Sequence, residues 1–266
     1  MPTPRTYKTE AIILKHASLG EADRILTMYT PNRGKLRAVA RGVRKTKSKL
    51  GGHVEPITHC ALMLSRGRNL EVVNQSQIIE NFLSIRTDLR LTAQALYLIE
   101  LTDAFTSERI ENYPVYRLLL DVLHHLSVTR RAEFLFRYFE LQLLEYVGYR
   151  PQLYECLNCK TALKPTENFF SPSGGGIICV GCVHTEPVVH PVSVNTLKVM
   201  RLLQRGDYAT ASKLRIPADL SRELEGIMQA YVRYLLEREL KSTGFLDRLK
   251  KEGITSILNQ DLDCSA

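Results

Sequence analysis

No stretch of this sequence approaches the roughly 20 apolar residues that cross a bilayer. In the opening MPTPRTYKTEAIILKH only Ala11 to Leu14 form an uninterrupted apolar run, too short for the core of a secretory signal. The expectation is a cytoplasmic chain without a membrane partner, in a compartment where thiols stay reduced. Catalytic signatures are missing as well: there is no GxxxxGK[ST] phosphate loop, no HExxH and no GxSxG elbow. The close acid pair Asp261 and Asp263 lies in the tail, and His124 and His125, adjacent on a helix, point about 100° apart and suit a helix surface better than one metal. A non-enzyme is expected. Two further absences are local. Residues 1–80 contain no Phe or Trp and only two tyrosines, Tyr7 and Tyr29, and residues 31–50 contain no acid.

The charge that is present is concentrated. The chain of 266 residues has a formal net charge of +8. Residues 1–80 hold 14 Lys or Arg against 6 Asp or Glu, whereas residues 81–266 hold 22 of each and are neutral. Within the basic third, PNRGKLRAVARGVRKTKSKL carries Arg33, Lys35, Arg37, Arg41, Arg44, Lys45, Lys47 and Lys49. A run of this kind is either a solvated basic loop or the electrostatic footprint of a nucleic-acid binder.

Periodicity bears on that choice. Residues 7–16, 23–30, 34–42, 56–65 and 69–79 read as strands, punctuated at Gly20, Pro31 to Gly34, Gly51-Gly52 and Arg66 to Arg68. In the third, Leu36, Ala38 and Ala40 alternate with Lys35, Arg37, Val39 and Arg41, so a period of two places the charges on one strand face that continues into a basic loop. Five short strands in this length match an OB-fold, whose strand face and loops commonly hold single strands. Arg66 and Arg68, in the SRGRN turn, offer a second place for phosphates. With so few aromatic platforms, such a domain would grip backbones rather than bases, making binding sequence-tolerant and salt-dependent.

From residue 81 the period changes to 3.6, with helices expected over 81–106, 114–127, 130–147, 193–205 and 219–241. In the third of these Arg130, Glu133, Arg137 and Glu140 make a narrow polar stripe on an otherwise apolar helix, which is expected to be buried, with Gly148 as its C-cap. In the last, Leu220, Leu224, Ile227, Met228, Tyr231 and Leu235 trace one apolar face.

Four of the six cysteines lie in CLNCKTALKPTENFFSPSGGGIICVGC as two CxxC pairs: Cys156 with Cys159, and Cys179 with Cys182. In a reducing compartment this spacing favours a tetrahedral four-cysteine zinc site over redox cysteines or free thiols. Between the pairs, Phe169-Phe170 and Ile177-Ile178 read as strands joined by SPSGGG, a small zinc ribbon. The fold class expected is therefore multidomain α+β. It comprises an OB-fold barrel over 1–80, a helical domain in two parts (81–150 and 187–250) with a four-cysteine zinc ribbon inserted over 151–186, and a loose tail over 251–266.

The combination of a basic OB-like domain, LLEYVGYRPQLYECLNC, FFSPSGGGIICVGC and a long helix leading to LKSTGFL resembles the RecO family of bacterial recombination mediators over nearly the whole chain. The resemblance implies a non-enzymatic DNA-repair protein in the cytoplasm, associated with the nucleoid. Such a protein would bind single- and double-stranded DNA and anneal complementary strands. With RecR it would help load RecA onto DNA coated with single-strand-binding protein. It implies that Lys35, Arg37 and Arg41 contact DNA, and that the helical domain contacts the acidic C-terminal tail of single-strand-binding protein. Arg130, Arg131 and Arg137 are candidates for that tail, with salt bridges at the core rim as the other reading. An RNA-binding or ribosome-associated OB-fold and zinc-ribbon factor is the alternative, and a protein-docking scaffold without DNA affinity a third.

Overall fold

The computed structural model describes residues 5–46, 48, 50–128, 132–206, 208 and 216–251. Lys47, Lys49, Arg130, Arg131 and the tail with Asp261, Asp263 and Cys264 lie outside the described residues. The strands are β1 (Thr6–Leu19), β2 (Asp23–Thr30), β3 (Gly34–Ala40), β4 (His59–Ser65), β5 (Glu71–Glu80), β6 (Asn168–Ser171), β7 (Gly176–Ile178) and β8 (His190–Val192). The helices are α1 (Leu83–Thr87), α2 (Leu89–Phe105), α3 (Tyr113–Val128), α4 (Ala132–Tyr146), α5 (Val194–Gln204), α6 (Ala218–Leu236) and α7 (Lys241–Lys251). No helix among the described residues is long and apolar enough to cross a membrane.

The chain divides into two compact units, Met1–Val128 with Leu240–Ala266, and Thr129–Glu239. In the first, five strands close a barrel in the order β1-β2-β3-β5-β4, with β4 returning to β1. All pairs are antiparallel except β3 with β5. This is the OB-fold expected from the strand pattern, and closure leaves no free sheet edge. Its interior is built from alternate residues: Ala11 and Ile13 of β1, Leu26 and Met28 of β2, Leu36, Ala38 and Ala40 of β3, Cys60, Leu62 and Leu64 of β4, and Val73 of β5. β1 is long because it serves two neighbours, pairing through Thr6 to Ile12 with β4 and through Ile12 to Leu19 with β2, with an irregularity between Ile13 and Lys15.

The apolar run Ala11 to Leu14 is buried on both faces. Ala11 and Ile13 fill the barrel, and the opposite face of β1 packs beneath α2. In the same way α3 covers β2, so Thr27 and Tyr29 are buried although they point away from the barrel interior. The single helix expected over 81–106 is two helices. Asp88 interrupts it because its carboxylate caps α2, accepting from the Arg90 and Leu91 amides at 2.8 and 3.1 Å. α2 also packs against α3 and α7. Glu100 on α2 accepts from the backbone amides of Lys241 and Ser242, at 3.0 and 2.8 Å, satisfying the first free N–H groups of α7. These contacts group α1 to α3 and α7 with the barrel. The sequence pattern instead placed all helices in one domain, since periodicity shows that a face is apolar but not which surface it meets.

In the second unit α4 packs against α5 and α6. Of its polar stripe, Arg137 and Glu140 are buried, at 8% and 1% exposed, and pair at 3.0 Å. The helix ends as expected at Gly148. That residue takes φ +88, its amide donates to Glu145 and that of Tyr149 to Leu144, the paired bonds of a Schellman cap. α6 buries Leu224, Ile227, Met228 and Tyr231, and stops at Leu236, short of the expected 241, where Glu237 turns left-handed at φ +53. The ribbon strands form a sheet in the order β7-β6-β8, with Phe169 opposite Ile178 and Phe170 opposite Ile177. Phe170 meets the ring of Tyr231 edge-on at 5.2 Å, which seats the ribbon on α6.

Candidate nucleic-acid interface and metal centre

The basic residues of the barrel fall into three environments. The first is unexpected. Lys35 is buried, and its Nζ donates to the Asp103 carbonyl at 2.7 Å and to Asp103 Oδ1 at 3.1 Å. Lys15 of β1 pairs with the other oxygen of the same carboxylate. The connection between α2 and α3 lies over this part of β3. The Arg109 amide donates to the Lys35 carbonyl at 2.8 Å, and a Cβ at Gly34 would stand 1.8 Å from the Ile110 carbonyl oxygen. Gly34 is also left-handed at φ +59, so glycine is required there by both space and conformation. The face on which alternation placed Lys35 is thus covered by the chain itself, and its ammonium is engaged internally. Arg37, next on that face, is half-exposed, with Nε 3.8 Å from Glu108 of the same connection.

The second environment is the end of β3 and the loop that follows. Val43 is buried in the barrel core, which leaves Arg41, Arg44 and Lys45 exposed around it. The loop is pinned to the β1–β2 turn: the Arg44 amide donates to the Ala22 carbonyl at 3.0 Å and the Gly42 amide to Asp23 Oδ1 at 2.7 Å. Three cations are held on an ordered surface rather than on a trailing loop.

The third environment surrounds Tyr7. The Arg33 guanidinium lies over its ring at 4.3 Å, and that of Arg66 at 5.9 Å. Arg66 is fixed by its own amide, which donates to the Arg5 carbonyl at 2.9 Å. Arg109, absent from the sequence-based candidates, pairs with Glu71 at 3.4 Å. Arg68 is exposed in the same β4–β5 turn as Arg66. Neither tyrosine of the barrel presents an open platform, because Tyr29 is buried and Arg33 covers Tyr7.

The four cysteines come together as their spacing predicted. The sulfurs of Cys156, Cys159, Cys179 and Cys182 all lie within 4.8 Å of one another, and those of Cys159 and Cys179 are 3.8 Å apart. Ligands about 2.3 Å from a tetrahedral Zn²⁺ stand about 3.8 Å apart, so the set fits that ion. Backbone amides support it: Cys179 N–H donates to Cys156 Sγ at 3.4 Å, and Cys156 N–H to the Thr161 carbonyl at 2.9 Å. The bond to the Thr161 hydroxyl draws the Cys159 thiol down to about 6, whereas sharing with Cys179 pushes Cys182 up to about 12. Four thiols this close become thiolates together only when a cation neutralises them.

Comparison with known proteins now places the chain. The family description "Recombination protein O N terminal" matches residues 3–82, and "Recombination protein O C terminal" matches residues 86–244. The chain belongs to the RecO family. A relative from Dehalococcoides mccartyi named DNA repair protein RecO is 42% identical over 96% of this chain and 100% of the relative. Proteins of the same name from Desulforamulus reducens and Syntrophus aciditrophicus are 38% and 34% identical, over 94% and 96% of this chain and 97% and 100% of their own lengths. The RecO N-terminal match coincides with the barrel and its basic surface. The C-terminal match spans the helices and the cysteine cluster.

Proposed function

We propose that this RecO-family chain is a non-enzymatic mediator of DNA repair that holds DNA by its phosphates and anneals complementary strands. The observation that carries this reading is the exposed cationic surface of the closed OB barrel, at Arg41, Arg44 and Lys45, combined with the lack of open stacking platforms. Two strands repel through their phosphates, and a dense cationic surface lowers that barrier by releasing counterions. A grip on backbones leaves the bases free to pair. Both single- and double-stranded DNA offer such backbones, and pairing itself supplies the driving force without ATP. No observation favours the RNA-binding reading.

Membership in the family supports a wider role. The protein would act with RecR in helping RecA onto DNA coated with single-strand-binding protein, and would dock on the acidic tail of that coat. Arg137 is a poor candidate for that docking, being buried against Glu140. For Cys156, Cys159, Cys179 and Cys182 we propose a structural Zn²⁺, since a closed set of four thiolates leaves no open position for chemistry. The functional test compares annealing rates of bare strands, strands coated with intact single-strand-binding protein, and strands coated with a tail-deleted form. Acceleration in all cases, greatest with the intact coat, is expected. Failure on bare strands would defeat the mechanism, while equal rates with both coats would remove only the docking step.

A further inference from the structure

Three arginines from three separate connections converge at one end of the barrel. Arg33 comes from the β2–β3 turn, Arg66 from the β4–β5 turn and Arg109 from the α2–α3 connection. Bringing guanidinium groups together is unfavourable unless something offsets their repulsion. Two features do so in part. The Tyr7 ring holds Arg33 at 4.3 Å and Arg66 at 5.9 Å, and the negative face of an aromatic ring attracts a cation. Glu71, buried at 3% exposure, faces Arg109 at 3.4 Å. One carboxylate against three cations leaves the group positive. Arg33 and Arg66 have no carboxylate partner among the described residues, and both are exposed.

The arrangement also contains polar atoms without partners. The Tyr7 hydroxyl and Glu71 Oε2 are buried and make no hydrogen bond among the described residues. Leaving such groups buried without a partner is unfavourable, and stability alone does not explain them. Burial, followed by the nearby Glu71, raises the Tyr7 hydroxyl, so the residue stays neutral. Its contribution is therefore the ring, which fixes two flexible cations in place. Pre-placing those side chains lowers the ordering cost of binding an anion between them.

We propose that Arg33, Arg66 and Arg109, organised by the ring of Tyr7, form a phosphate-binding site for a DNA strand separate from the Arg41–Arg44–Lys45 surface. Arg109 belongs to it although it lies outside the barrel sequence, and Tyr7 acts as a positioning residue. Arg33 and Arg41 flank opposite ends of β3, whose seven residues span roughly 20 Å at about 3.3 Å per residue, while Glu71 of the first site lies opposite Ala38. The covered stretch at Lys35 and the Arg37–Glu108 pair lie between Arg33 and Arg41. A strand spanning both would be gripped at two points.

This inference rests on the reading of the barrel as a DNA-binding domain, and one experiment separates the two. Affinity of the full chain for a fluorescent oligothymidylate is measured across salt concentrations. The variants are Arg33→Ala/Arg66→Ala/Arg109→Asn (Asn because position 109 has φ +62), Arg41→Ala/Arg44→Ala/Lys45→Ala, Tyr7→Phe and Tyr7→Leu, with circular dichroism confirming the fold. At about 0.7 per phosphate, each triple variant should flatten the salt slope by about two units. Tyr7→Phe should bind like the parent, and Tyr7→Leu should bind severalfold more weakly although no charge is lost. If the Arg33/Arg66/Arg109 variant keeps the parent slope while the loop variant loses it, the proposed site is wrong and the DNA-binding reading stands. If the parent shows no salt-dependent binding, both fall.

Discussion

Lys35 matches the pattern of a DNA-facing cation, yet its ammonium is engaged within the fold. Strand alternation separates two faces of β3 but says nothing about what covers the outer one, and here residues 103–110, some 70 positions away, do so. Its ammonium instead holds Asp103. Burial alone would raise that carboxyl, but the hydrogen bond from Lys15 and the charge and hydrogen bonds of Lys35 outweigh it and hold it below the ordinary carboxylate range. A carboxyl depressed in the folded state stabilises the fold fully above its unfolded value, about pH 3.9, and the contribution is lost as pH falls through the folded value. Lys35→Ala should therefore cost about 1–3 kcal/mol in urea denaturation at pH 7, since Lys15 remains as a partner. The gap from the parent should narrow toward pH 3. An equal gap at both pH values, or weakened DNA binding with unchanged stability, would contradict this account.

At the scale of elements, the strands were the most legible part of the sequence. Period-two alternation between Gly, Pro and Asn punctuation marked all five barrel strands to within a few residues, because a closed barrel keeps one face of every strand apolar. The cysteine cluster was equally legible, since each CxxC turn brings its own two sulfurs together and the β6–β7 hairpin needs only a short reversal to join them. The break at Asp88 could have been read from an N-cap residue inside the expected helix. The Tyr7 cluster could not, because it depends on two turns and one helix connection meeting at β1 in space. The ribbon's place on α6, through Phe170 and Tyr231, would give the proposed zinc a structural role. Metal analysis should find one zinc per chain in protein purified without chelators. Cys179→Ser should make residues 156–182 sensitive to proteolysis and lower stability by roughly several kcal/mol, a fraction of the roughly 10–16 kcal/mol that zinc supplies to isolated fingers. Metal-free protein with parental protease resistance would refute the assignment.

Across the whole molecule, the basic residues 1–80 and the cysteine cluster fall in different units. The excess of +8 lies entirely within residues 1–80, in the barrel unit, and the cysteine cluster lies within Thr129–Glu239. If DNA is held by phosphates on the barrel, then removing cations and removing zinc should have separable effects. Replacing Arg41, Arg44 and Lys45 together with Ala should weaken binding to thymidylate and mixed-sequence strands alike, because phosphate contacts position a strand without reading it. Annealing should slow in step with that loss, since the same contacts offset the repulsion between strands. Cys179→Ser protein, assayed at a temperature where it remains folded, should keep the parental salt slope. A sequence-dependent loss in the basic variant would point to base contacts at the loop. A flattened slope in the cysteine variant would mean that the second unit, with 14 Lys or Arg against 12 Asp or Glu, also holds DNA on a cationic face of its own.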